Sequence, residues 1–153
     1  MGTSFSASTN DEFRCAADLL VDFNTEYGDP SPEPKWLAGH LSELVDNGDT
    51  SVLLTGEPAI GLAILRFRTA TWAAEKEAYL AEFYVAPDHR GHGIGRQFLT
   101  EVLEHARERG ATYVDLNTSE DDEAARHLYE DFGFNCHEGR ADGPLAIYYE
   151  LDL

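Results

Sequence analysis

Phe83-Tyr84-Val85-Ala86-Pro87-Asp88-His89-Arg90-Gly91-His92-Gly93-Ile94-Gly95 joins an apolar strand to a helix through a turn that carries three glycines. Residues 79–85 read as a strand, and Ala86-Pro87-Asp88 ends it, because proline has no N–H to donate to a ladder. After the turn, Ile94, Phe98, Val102, Leu103 and Ala106 recur at helical spacing up to Arg109-Gly110, with basic side chains where the helix dipole favours them. In Arg90-Gly91-His92-Gly93-Ile94-Gly95 the alternating glycines expose backbone N–H groups at a helix N-terminus without bulky Cβ atoms. An anion can therefore approach closely, and Arg90 and Arg96 flank the turn with fixed positive charge. A phosphate cradle and a plain tight connection are both readings of such a turn.

Two nucleotide-binding patterns do not fit. Gly91-x-Gly93-x-x-Arg96 lacks the third glycine of the dinucleotide fingerprint, and residues 86–89 separate the turn from its strand. Asp115 does stand about 20 residues beyond the turn, where a ribose-binding acid would lie. A phosphate loop of the Gly-Lys-Ser/Thr kind is absent.

A second segment, Ala125-Arg126-His127-Leu128-Tyr129-Glu130-Asp131-Phe132-Gly133-Phe134, follows after a helix and a strand. The first segment resembles the acetyl-CoA motif of the GNAT superfamily, Arg/Gln-x-x-Gly-x-Gly/Ala, filled here by Arg90, Gly93 and Gly95. The second is similar to that superfamily's Ala-x-x-Leu-Tyr-x-x-x-Gly-Phe segment. The resemblance implies an acetyl-CoA-dependent N-acetyltransferase without a metal. It further implies that residues 79–85 splay from the strand at 113–117, with backbone near Phe83, Tyr84 and Val85 facing the pantetheine arm. The amides of Gly91, His92, Gly93, Ile94, Gly95 and Arg96 would then hold the pyrophosphate. Asp122 occupies the place where many members carry Asn and, with Ala125 and Asn117, belongs to the cofactor side.

Direct transfer to an amine needs a neutral nucleophile and a proton for the departing thiolate. Tyr129 matches the superfamily's usual general acid, and a phenol stays protonated at neutral pH. Its other reading is a core position on an amphipathic helix. Glu82 is the only carboxylate in residues 79–85, and is read as base or acceptor-binding group, or as a structural carboxylate. Many relatives instead carry an acid or histidine at the position of Ala81, or a base at that of Tyr79, which is a second acceptor-binding candidate.

Thr9-Asn10-Asp11-Glu12 has the spacing of a capping box, after a weak edge strand over residues 3–8. Phe13, Ala16, Ala17, Leu20 and Phe23 give the helix that follows one apolar face. A proline loop at 29–34 leads to a second helix over Trp36, Leu37, His40, Leu41, Leu44 and Val45, and these helices are expected to cover an acceptor cleft. Residues 51–55 and 59–68 are expected as strands, with Gly61 marking a bulge, and 69–77 as a surface loop. Residues 113–117 are a further strand, Ser119 to Asp122 a helix cap, and 134–137 with 145–151 a closing hairpin. The fold class is α/β (α+β), a GNAT-like mixed, mainly antiparallel sheet with helices on both faces, in a single domain over residues 1–153.

The chain has 29 acidic and 11 basic residues, a net charge of −18 that disfavours nucleic acid and anionic membranes as partners. Such acidity reads either as a salt-adapted, halophilic-type surface or as a field that recruits a cationic acceptor, small molecule or protein. Cys15 and Cys136 form no metal or disulfide pattern, and residues 1–10 lack a targeting signal, so a cytoplasmic protein is expected. The closing hairpin is read as a candidate homodimer edge. An acyl-CoA-binding regulatory or interaction module without efficient catalysis is the alternative to an enzyme.

Overall fold

In the computed structural model, which describes residues 3–139 and 142–153, the first helix begins where Thr9 and Glu12 predict it. The Thr9 hydroxyl accepts the Glu12 N–H at 3.2 Å and the Glu12 carboxylate accepts the Thr9 N–H at 3.0 Å, so each satisfies a donor the helix cannot. This helix, α1 (Asn10–Glu26), buries Phe13, Ala16, Ala17 and also Leu19, which the spacing did not single out. Helix α2 (Pro34–Asp46) starts with proline in its first turn and the Glu33 carboxylate on the Trp36 N–H.

The chain packs as two units, one ending at Leu116 and the other covering Asn117–Leu153. The first contains a five-stranded sheet in the order β1 (Phe5–Ser6), β2 (Thr50–Thr55), β3 (Gly61–Thr69), β4 (Lys76–Val85) and β5 (Ala111–Leu116). Neighbours are antiparallel up to β4; β5 is parallel to β4 and reached through α3 (Ile94–Glu108). A parallel pair needs such a crossover. The expected loop over 69–77 is shorter, since Thr69 already pairs with Lys76.

On one face, Val52, Leu54, Leu62, Ile64 and Tyr84 join Phe13, Ala16, Leu19 and Leu41 of α1 and α2 in one apolar cluster. Alternation sends Leu53, Ala63, Leu65 and Phe83 to the other face, where Phe83 stacks on Phe98 of α3 at 5.4 Å. Helices thus lie on both faces of a mainly antiparallel sheet.

Gly61 does not mark a bulge. A Cβ there would lie 2.8 Å from Thr55 Cγ2, 3.1 Å from the Tyr84 carbonyl oxygen and 3.4 Å from the Phe98 ring, so the glycine is demanded by close packing. Gly61→Ala is expected to cost about 1–3 kcal/mol, the usual penalty of overpacking, read as a lowered denaturation midpoint. The irregularity sits elsewhere. Ile64 pairs with Glu82 and Leu65 with Leu80, leaving Ala81 as an extra residue in β4.

In the second unit, α4 (Glu123–Asp131) is capped by Asp122, whose carboxylate accepts the Ala125 N–H at 3.1 Å. Ser119, the first candidate cap by sequence, hydrogen-bonds Asp121 instead. Among the described residues the expected closing hairpin is reduced to one antiparallel bridge between His137 and Leu145, with two flanking backbone hydrogen bonds. Residues 140 and 141 of its loop lie outside the described residues.

Candidate active site

The bulge at Ala81 decides which side chains share a face. In an uninterrupted strand Tyr79 and Glu82, three residues apart, would point to opposite sides. With Ala81 inserted, Tyr79 stands beside Arg66 and Glu82 beside Ile64, both on the face that also holds Tyr84. Bulges are a common means of re-aiming side chains next to a site. Burial holds the Glu82 carboxyl above its ordinary value, because the ion loses solvent there.

The same strand opens on its other edge. Pairing with β5 stops at Leu80 and Leu116, and among the described residues no strand pairs with 81–85 on that side of the sheet. An edge of this kind is where an extended ligand can add to a sheet. Tyr84 contributes no side chain to it: its ring is buried on the α1 face and stacks on Phe23 at 4.9 Å.

Beyond β4, Gly91 and Gly93 take φ of 79° and 80°, the left-handed region where a Cβ is strained. Nothing lies within 4 Å of a Cβ built on either, so backbone conformation and not crowding requires glycine there. Gly93 is the N-cap of α3, and the first helical hydrogen bond runs from the Gln97 N–H to the Gly93 carbonyl at 3.1 Å. The amides of Ile94 and Gly95 precede it. No acidic residue lies in the first turn of α3, whereas α1 and α4 carry Asp11, Glu12 and Glu123 in theirs. In a chain of charge −18 this is a helix N-terminus left compatible with an anion. His92 is exposed in the turn. Glycine backbone and the helix dipole at this turn suit an anionic group.

Arg90, one of the two cations flanking that turn, is paired within the protein. Its Nη1 and Nη2 donate to the two carboxylate oxygens of Glu26 at 2.6 and 2.8 Å, and its Nε donates to the Val85 carbonyl at 2.8 Å. Its guanidinium also lies 5.5 Å from the Tyr84 ring centroid. This bidentate pair holds the Glu26 carboxyl below its usual value. It ties the end of α1 to the end of β4 and occupies one backbone acceptor assigned to the pantetheine arm.

Tyr129 lies on α4, buried, with Phe134 edge-on at 5.7 Å. Burial, and after it the charge of Asp122, pushes its phenol up to about 12. Asp122 therefore has two local duties, helix cap and neighbouring charge, and Ala125 is the residue whose amide it caps. Asn117 is exposed just past the end of β5.

Residues 15–134 match the model of the acetyltransferase (GNAT) family. The chain belongs to the GNAT family. A thialysine N-epsilon-acetyltransferase of Bos taurus is 32% identical over 82 residues, covering 51% of this chain and 48% of that protein. A streptothricin acetyltransferase of Streptomyces lavendulae is 40% identical over 80 residues, covering 47% of this chain and 42% of the relative. This GNAT chain spans about half the length of the curated relatives it matches. A solved structure of a candidate acetyltransferase from Arthrobacter sp. FB24 superposes with a TM-score of 0.87 at 38% identity, over 99% of this chain and 96% of that one.

Two charge pairings of this GNAT chain were not legible in its sequence. Glu26 is 64 residues from Arg90, and nothing local announces their pairing. Asp115, once a ribose-binding candidate, is held by Arg68 Nη2 at 3.3 Å. Among the described residues no three His, Cys, Asp or Glu gather to hold a metal, and no helix is long and apolar enough to cross a membrane.

Proposed function

We propose that this protein transfers an acetyl group from acetyl-CoA to a primary amine by direct attack in a ternary complex. The observation that carries the reading is the edge of β4 left open beyond Leu80, leading into a glycine turn and a helix N-terminus free of carboxylates. An extended arm ending in a pyrophosphate fits that succession. The amides of Gly91, His92, Gly93, Ile94, Gly95 and Arg96 form the phosphate end of the site, and backbone of Phe83, Tyr84 and Val85 its inner end. By the motif match, Asn117, Asp122 and Ala125 are further cofactor-binding candidates.

Acetyl-CoA, when bound, supplies the acetyl group as an activated thioester. Glu82 accepts the proton that the amine loses on forming the new C–N bond, directly or through water; its raised pKa makes it a better base than an ordinary exposed carboxylate. Tyr79 lines the acceptor on the same face. The Tyr129 phenol gives its proton to the thiolate as the C–S bond breaks, and the balance is amine plus thioester to amide plus thiol. The strongly acidic composition adds a field that favours cationic over anionic acceptors at low salt.

Steady-state release of CoA thiol with a panel of amines tests the reading. The expected result is saturable, amine-dependent release with the acetylated amine as product. Tight CoA binding without turnover for every amine would make the chain a binding module.

A further inference from the structure

The sheet face that holds Tyr79 and Glu82 also carries Arg66 and Arg68 of β3, Glu77 of β4 and Asp115 of β5, as the strand pairs Ile64 with Glu82, Arg66 with Tyr79, Arg68 with Glu77, and Tyr79 with Asp115 require. Two of these carboxylates are already satisfied. Arg68 Nε donates to Glu77 at 2.8 Å and Arg68 Nη2 to Asp115 at 3.3 Å. Arg66 and Glu82 remain, and neither side chain makes a hydrogen bond or ion pair among the described residues. They are diagonal neighbours on adjacent strands, separated by the bulge at Ala81.

A half-buried carboxylate and an exposed guanidinium left facing one another's side of the strand pair, in a chain with 29 acidic residues and few arginines, are an unfilled complement of charges. A simple amine or polyamine would use Glu82 and be repelled by Arg66. A molecule with an amine and a carboxylate on one carbon would use both: its two charges lie within a few ångström, and the guanidinium can take a carboxylate through two parallel N–H bonds. The bulge at Ala81 is what brings Glu82 to this face at all.

We propose that the acceptor is an α-amino acid or a molecule ending in one, its amine at Glu82 and its carboxylate held by Arg66. This rests on the acetyltransferase reading above and narrows its substrate class. Arg66 is then a specificity residue, acting on acceptor affinity.

The test is steady-state acetyl transfer by the full chain on several L-amino acids, each beside its carboxamide and its decarboxylated amine. Wild type is expected to prefer the acid over the amide by about 10–100-fold in kcat/KM, the worth of a charge-assisted hydrogen bond. Arg66→Gln should collapse that ratio toward one, through a raised KM for the amino acid and with the KM for acetyl-CoA unmoved; Arg66→Lys should restore part of it. Equal or better turnover of the carboxamide by wild type overturns the proposal while leaving the acetyltransferase. So does an Arg66→Gln variant, folded by circular dichroism, that keeps the preference. No turnover on any amine removes both readings together.

Discussion

Tyr129→Phe is expected to lower kcat by about 10²–10⁴-fold, the range that a positioned proton donor contributes, with little change in the fold. The departing thiolate must be protonated, and the Tyr129 phenol is built to remain a donor: burial first, and the Asp122 carboxylate second, push it up to about 12. It stays protonated across the working range, and phenylalanine keeps its shape while removing the proton. The sign of the electrostatic part can be read separately. Asp122→Asn keeps a side chain that caps α4 as well as aspartate does, and takes away the charge that raises the phenol. The basic limb of the rate profile should therefore move down in that variant, by less than burial alone has moved it up. A Tyr129→Phe variant with unchanged turnover, when chemistry limits the rate, would reduce Tyr129 to a core residue packed against Phe134.

Glu82→Gln is the second large effect, with kcat/KM falling about 10²–10⁴-fold. Its pH behaviour separates a base from a binding group. The Glu82 carboxyl titrates above the ordinary carboxylate value because it is buried, so the active, ionised form accumulates only as pH rises through that raised value. The acid limb of kcat/KM in wild type should lie above 4.5 and disappear in the glutamine variant, while the limb set by the amine's own deprotonation stays. Stability moves the opposite way. A carboxyl raised in the folded state contributes fully below its unfolded value, and that contribution is lost as pH rises through the folded one. Replacing it with neutral glutamine should raise the melting temperature at neutral pH while turnover drops, a combination that simple misfolding does not give. An acid limb that persists unchanged would assign the proton to another group.

The parts of this molecule written in local spacing were legible in its sequence. Thr9 and Glu12 cap α1 as their spacing dictates, Gly93 ends the turn where α3 begins, and β3, β4 and β5 fall within a few residues of their apolar runs. What depended on strands meeting was not. The extra residue at Ala81 has no glycine or proline to betray it, being visible only as a step in the register between β3 and β4. That step decides that Tyr79 and Glu82 share a face. Gly61 illustrates the converse, since a glycine in a strand suggested a bulge and proved to be a packing requirement set by Thr55, Tyr84 and Phe98, which lie on three other elements. The pairing of Arg90 with Glu26, at the far end of α1, likewise leaves no trace in the local motif. A closing hairpin is expected over 134–137 and 145–151, but strand pairing is a long-range matter, and among the described residues one bridge is formed there.

Initial rates with acetyl-CoA and an accepted amine varied together test the central claim, direct transfer within a ternary complex, most plainly. Lines that intersect in a double-reciprocal plot, with no acetylated protein detected by intact mass in the absence of amine, are the predicted result. Parallel lines accompanied by an acetylated chain would contradict it, because they would mean that the acetyl group passes first to a residue of the protein.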